Sequence, residues 1–423
     1  MNGTQIQTWL AAWWIVSGMA TATLADEFHN VTGQHIVLTS DIESEAEANE
    51  LVASFDHAVE QWREFWGLPE RSLDAWSVKA FVMQNKPSFQ SAGLIDPRVP
   101  DFKEGYALGN SIWIMSQPSP YYTRHLLLHE GVHALAFDQF GGAGPSWFME
   151  GTAELLATHQ GAGATTIINR FPADRSSVPY WGRLKLMSQR RDDGAVPTLE
   201  TVMRYPANLN ADVESYGWCW AAAMLLSQYD EYRDVFRASA RSGRDSGPNF
   251  TRQIYQRLLP EWPAVIARWR LMCHQLDYGF DWSRERVTLS VDDPSWQGQP
   301  LAINVAADQG WQSLGVRIPA GSRLNLAAVG RCVIAKRAKD WVSEPAGVTI
   351  EYVNGRPLGQ LVVCLVSVTH TNQPTCEPLK TISVASEAEI TVEAESWLVL
   401  QINDRVDSRS ENSGVYAVNV SAK

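Results

Sequence analysis

Basic residues are scarce in this chain and nowhere gathered: 35 Lys and Arg stand against 47 Asp and Glu, a formal charge of −12. Phosphate recognition needs clustered cations, so nucleic acid is excluded as a partner, and the acidic surplus serves repulsion and solubility. Cysteine is sparse too. Cys219, Cys273, Cys332, Cys364 and Cys376 contain no CxxC spacing, which excludes a zinc ribbon or a thioredoxin-like motif. In an exported chain some of them can pair, Cys219 with Cys273 for example, and the odd count leaves one free. There is no internal repeat and no low-complexity tract. Beyond the N-terminus no apolar run is long enough to span a bilayer, so no transmembrane anchor is expected.

What is present is material for more than one core. Hydrophobic residues make up 45% and charged ones 19% of 423 positions, which gives no compositional case for disorder. Domains cluster at roughly 100 to 200 residues, so two folded units are expected. The run Trp9 to Val16, with Thr23-Leu24-Ala25 ahead of Asp26, reads as a secretory signal peptide over residues 1–25, although no Lys or Arg precedes it. A secreted, periplasmic or cell-surface location follows. A buried N-terminal helix is the alternative.

Along the rest of the chain, residues 35–39 are expected as a strand. Residues 45–66 are expected as a helix, with Leu51, Phe55, Ala58 and Trp62 at helical spacing and Ser44 with Glu47 as a capping box. Strands are expected at 78–83 and 111–115, with a turn-forming segment at 107–110. Residues 121–139 are apolar on nearly every face, the mark of a buried helix. A second helix should start at Ser146 as N-cap and run to about His159, and further helices are expected at 217–229 and 263–276. Past Tyr278 the texture changes to short alternating runs at 287–290, 323–327, 361–368, 389–393, 398–402 and 415–420, separated by turn residues as in an all-β sandwich. The boundary falls near residue 284, giving units at 26–283 and 284–423.

His129-Glu130-Gly131-Val132-His133 is an HExxH motif on the buried helix. Residues four apart share a helix face, so both imidazoles can meet one metal with Glu130 beside it. An unpaired Glu130 among Leu126, Leu127, Leu128, Val132, Leu135 and Phe137 would be costly, and a metal would supply the missing charge. Glu150, in Trp147-Phe148-Met149-Glu150-Gly151-Thr152-Ala153-Glu154, offers the third protein ligand of a catalytic zinc site. Glu154, one turn on, can orient a ligand imidazole from behind. His125 is a rival ligand that this reading treats as structural. The two histidines could also be plain core residues, and the two glutamates could simply favour a helix N-terminus.

Over residues 105–230 the chain resembles the gluzincin peptidases, whose second motif reads Trp-Leu-x-Glu-Gly-x-Ala. The resemblance implies an α+β zincin-like metallopeptidase domain with His129, His133 and Glu150 on zinc, Glu130 as general base and Glu154 in the supporting acidic position. The gap from His133 to Glu150 is shorter than in that group, so the Gly141-Gly142-Gly144 loop must be tight. Such peptidases stabilise the oxyanion with a Tyr or His from a later helix, which points to Tyr216; a core role for that aromatic is the alternative. A peptide or protein substrate follows.

Asn403-Asp404-Arg405-Val406-Asp407-Ser408-Arg409-Ser410-Glu411-Asn412-Ser413-Gly414 resembles the calcium loop of the calcium-dependent galactophilic bacterial lectins. That implies Asp404, Ser408, Glu411 and Asn412 as calcium ligands and a lectin-like β-sandwich over 284–423. The lectins' sugar-contacting His and Gln have no counterpart after Trp341 and Pro345-Ala346-Gly347, so carbohydrate as a partner stays open. An acidic turn without calcium is the other reading. Two functions therefore stand: an exported zinc peptidase with an appended sandwich, or a calcium- or carbohydrate-binding surface protein on a degenerate peptidase scaffold.

Overall fold

The computed structural model describes residues 28–207, 209, 212–369 and 373–423; the segment read as a signal peptide lies outside them. The chain opens with β1 (His29–Thr32), β2 (Ile36–Ser40), α1 (Glu45–Trp66), β3 (Val78–Met83), α2 (Lys86–Ser91), β4 (Gly105–Leu108) and β5 (Ser111–Met115). Ser44 caps α1 by accepting from the Glu47 amide, as its side chain suggests. The strands form one sheet in the order β1-β2-β3-β5-β4, parallel from β2 through β5 and antiparallel at both edges. β4 sits where a turn was expected, and only Gly109 and Asn110 make the turn. One sheet face, carrying Ile36, Leu38, Ala80 and Ile112, shares a core with Phe55 and Trp62 of α1 and with Leu127 and Leu128.

Those leucines belong to α3 (Pro120–Phe140), whose Ser119 cap accepts from the Tyr122 amide while Pro120 fixes the first turn. α4 (Ser146–Ala157) follows after Gly141 closes α3 in a left-handed conformation. Ser146, expected as its N-cap, is instead its first helical residue after the Pro145 cap, and its hydroxyl donates to the carbonyls of Tyr205 and Pro206. The hairpin β6 (His159–Gln160) and β7 (Ile167–Ile168) leads into α5 (Arg183–Asp192), α6 (Leu199–Val202), α7 (Val213–Gln228), α8 (Asp230–Ser239), α9 (Pro248–Leu258), α10 (Trp262–Gln275) and α11 (Trp282–Glu285). α7 is buried on all sides from Gly217 to Ser227. Among the described residues no helix is long and apolar enough to cross a membrane.

The remainder is sheet. β8 (Leu301–Ala306), β9 (Gln312–Ile318), β10 (Arg323–Lys336), β11 (Asp340–Ser343), β12 (Val348–Val353), β13 (Arg356–Leu358), β14 (Leu361–Ser367), β15 (Thr381–Val384), β16 (Glu387–Thr391), β17 (Ser396–Ile402) and β18 (Ser413–Ala422) form two main sheets and a hairpin. The sheets run β11-β10-β18-β8, with β16 also on β10, and β15-β14-β17-β9; the hairpin is β12-β13. Alternate residues from both sheets, including Leu324, Leu326 and Val418 against Leu361, Val363 and Leu400, make one core between them.

The opposite face of β14 and β17 is also apolar. Val362, Cys364, Val366, Trp397 and Val399 pack on Ala264, Ala267 and Leu271 of α10. The run 287–290 is no strand, contrary to expectation. Val287 and Leu289 are instead an extended strap buried in this same junction, which accounts for their alternating pattern. The expected Cys219–Cys273 pairing is not made: all five cysteines are free and buried. Cys219 lies in α7 and Cys273 in α10, and both behave as small apolar side chains.

Candidate metal centre

α3 and α4 lie side by side and bring three ligand atoms together. His129 Nε2 is 3.1 Å from Glu150 Oε2 and 3.2 Å from His133 Nε2, and His133 Nε2 is 3.6 Å from the same carboxylate oxygen. All three residues are buried and could hold one metal ion. His125, His129 and Glu154 make a second convergent group. Its carboxylate, however, is already held by other donors, so a cation there would have to displace them. Arg183 Nη2 lies 2.7 Å from Glu154 Oε1, and Trp181 Nε1 donates to Glu154 Oε2 at 3.0 Å. In the first group His129 turns its Nε2 towards Glu150 and His133 while its Nδ1 faces Glu154 Oε1 at 3.4 Å, the orientation that a supporting carboxylate favours.

The buried charges of this cluster shift one another. Burial works against charge on His129, yet its hydrogen bonds to Glu150 and Glu154 lift the imidazole to about 10. Burial would raise Glu150, but its two histidine partners hold it down to about 2. Burial works against charge on Glu154, yet Arg183, His125 and His129 together hold it far below its ordinary value. His125, stacked near Tyr121 and Tyr122, is lowered by burial and stays neutral.

Glu130 stands beside the cluster with its carboxyl pushed up by burial, the two motif histidines opposing. It lies directly under the sheet's edge strand. A Cβ on Gly105 of β4 would come within 2.5 Å of Glu130 Oε1, so a side chain there would push the carboxylate aside. Tyr216, in the second turn of α7, has its ring centroid 6.3 Å from that of His129 and the Arg183 guanidinium 5.8 Å from its own ring. Burial, then the Glu150 charge, raises its phenol, which therefore stays protonated. Sequence reasoning missed Gly105, Trp181 and Arg183. Arg183 also reaches the Tyr122 hydroxyl, which donates to Glu104 Oε2 at 3.1 Å.

The expected calcium residues are only partly assembled. Asp404 Oδ2 accepts from Asn412 Nδ2 at 2.7 Å and its Oδ1 from the Arg405 amide, Ser408 donates to Asp407, and Glu411 is exposed. Asn412 Oδ1 is buried without a partner. Arg409 fills the loop's interior, 3.2 Å from the Asp404 carbonyl oxygen. Asp404 and Ser408 are thus engaged within the loop, with a guanidinium beside them. Next to the loop, a cavity of about 720 Å³ opens at the junction of the helical and two-sheet regions, lined by Tyr278, Trp311, Tyr352, Arg356, Arg405 and others.

No family model matches the chain, and no curated protein matches it. Among solved structures, the EclA N-terminal domain, described as a PllA-like lectin, is 21% identical across 29% of this chain and 96% of its own, with a TM-score of 0.22. PliG of Aeromonas hydrophila, a periplasmic inhibitor of g-type lysozyme, is 8% identical across 33% of this chain and 99% of its own, with a TM-score of 0.18.

Proposed function

We propose that the chain is an exported zinc peptidase with a zincin-like catalytic domain and an appended β-sandwich. The observation that carries this reading is the spacing of the three ligand atoms, 3.1, 3.2 and 3.6 Å. A tetrahedral site with metal–ligand distances of about 2.1 Å has edges of about 3.4 Å, so zinc fits with little movement and a fourth position remains for water. Zinc bound there supplies the Lewis acidity that makes a water nucleophilic near neutral pH.

The chain's own groups do the rest. Glu130, already raised by burial, accepts the water proton and passes it to the leaving amine. Tyr216, protonated at every physiological pH, donates to the oxygen on which charge develops. Glu154, fixed by Arg183 and Trp181, holds the His129 ring in position. β4 ends the sheet, and an extended peptide added to that edge would run past Glu130.

The test is zinc content by elemental analysis, together with hydrolysis of labelled casein by the wild type and Glu130→Gln. The variant should retain zinc and lose about 10² to 10⁴ in rate. A zinc-free wild type, or undiminished hydrolysis by the variant, would overturn the reading.

The junction cavity favours a second reading, a saccharide-binding protein in which the helical region is scaffold, because aromatic faces and polar side chains line it together. A glycan array with the full chain separates the two. Glycan binding without zinc or hydrolysis would replace the peptidase.

A further inference from the structure

The loop between β17 and β18 carries a cation of its own. The Arg409 and Glu285 side chains are each 1% exposed. Arg409 Nη1 donates to both Glu285 oxygens, at 2.6 Å to Oε1, and Nη2 donates to Gln401 Oε1 at 3.1 Å and to the Asp404 carbonyl at 3.2 Å. Glu285 closes α11, the last helix before the sheets, so the ion pair joins the two regions of the molecule. Room is kept for it by Gly310, where a Cβ would stand 2.3 Å from Glu285 Oε2 and 3.1 Å from Arg409 Nη1. Within the loop Arg405 Nε lies 3.3 Å from Asp407 Oδ1, Asn412 donates to Asp404, and Glu411 is exposed.

We propose that Arg409 is the resident cation of this loop and that, anchored by Glu285, it latches the two-sheet region to the helical region without calcium. A buried carboxylate without a counter-charge is strongly unfavourable, and burial pushes the Glu285 carboxyl up even with the Arg409 guanidinium opposing it. A metal ion entering the loop would meet Arg405 and Arg409 as like charges, the second already 3.2 Å from the Asp404 carbonyl oxygen. The loop is therefore an internal docking element rather than a metal-gated ligand site.

Two measurements on the full chain test this. The thermal midpoint of the wild type should stay constant as calcium is raised through the millimolar range in which weak extracellular sites fill. A midpoint that climbs with calcium, as mass action on a native-state site requires, overturns the proposal. Arg409→Met and Glu285→Gln should each lower the midpoint by about 5 °C or more, and the double variant by clearly less than the sum, because one lost partner leaves the other buried and uncompensated. Additive shifts, or an unchanged midpoint in Arg409→Met, count against the latch. If the single variants do not fold, Arg409→Lys, which keeps the charge and loses the fork, should show an intermediate loss, and the wild-type calcium titration still decides.

Discussion

The Glu130 carboxylate lies against the bare backbone of Gly105. Gly105→Ala should therefore displace the carboxylate without touching a metal ligand. The expected outcome is a fall in kcat on the order of 10²-fold with zinc content unchanged, since small misplacements of a catalytic group are costly; an unaltered kcat would mean that Glu130 tolerates the shift. The charges of the cluster predict a pH dependence for the metal-free protein. His129 is lifted from 6.5 to about 10, so its contribution to stability is complete below 6.5 and fades as pH rises towards 10. Glu150 is lowered from 4.5 to about 2, so its contribution is complete above 4.5 and fades as pH falls towards 2. After chelation, the difference in urea midpoint between wild type and His129→Gln should be largest between those two ordinary values. A difference that stays constant up to pH 10 would contradict it. His129, His133, Glu150 and Glu154 could be read from the sequence because their spacings map onto helix faces. Arg183 could not, because Arg183–Asp192 reads as a polar surface helix and the contact of Arg183 with Glu154 spans 29 residues.

Among the elements, α1, α3, α7 and α10 were legible from apolar periodicity and caps, for those signals are local. β4 was not, since Gly105 to Leu108 lie against a turn and pair only through β5. The strap at Val287 and Leu289 was read as a strand because extended chain and strand share the same alternation. α3 depends on Ser119, whose hydroxyl accepts from the Tyr122 amide at 3.0 Å and also donates to the Pro179 carbonyl. Ser119→Ala should cost about 1 to 2 kcal/mol, read as a lowered urea midpoint. A midpoint within error of wild type would show that the first turn of α3 is fixed by Pro120 and packing alone.

At the scale of the molecule, the two regions could be told apart in the sequence but their docking could not. A sandwich strand is expected to alternate, whereas β14 and β17 are apolar on both sides because α10 covers the outer face. Residues 284–423 produced alone would bare Val362, Cys364, Val366, Trp397 and Val399, a patch that invites association. Size-exclusion chromatography should find that fragment aggregated, and a soluble monomer would show that the junction is dispensable.

The latch also sets an order of events during synthesis. Arg409 lies 124 residues beyond Glu285, so at about 5 to 20 residues per second the helical region waits on the order of ten seconds for its counter-charge. Over that interval the outer face of α10 is bare as well. A newborn chain of this protein therefore passes through a stage in which its helical half is complete in sequence but still sticky, and anything that stalls the ribosome there hands a chaperone, or an aggregate, its opportunity.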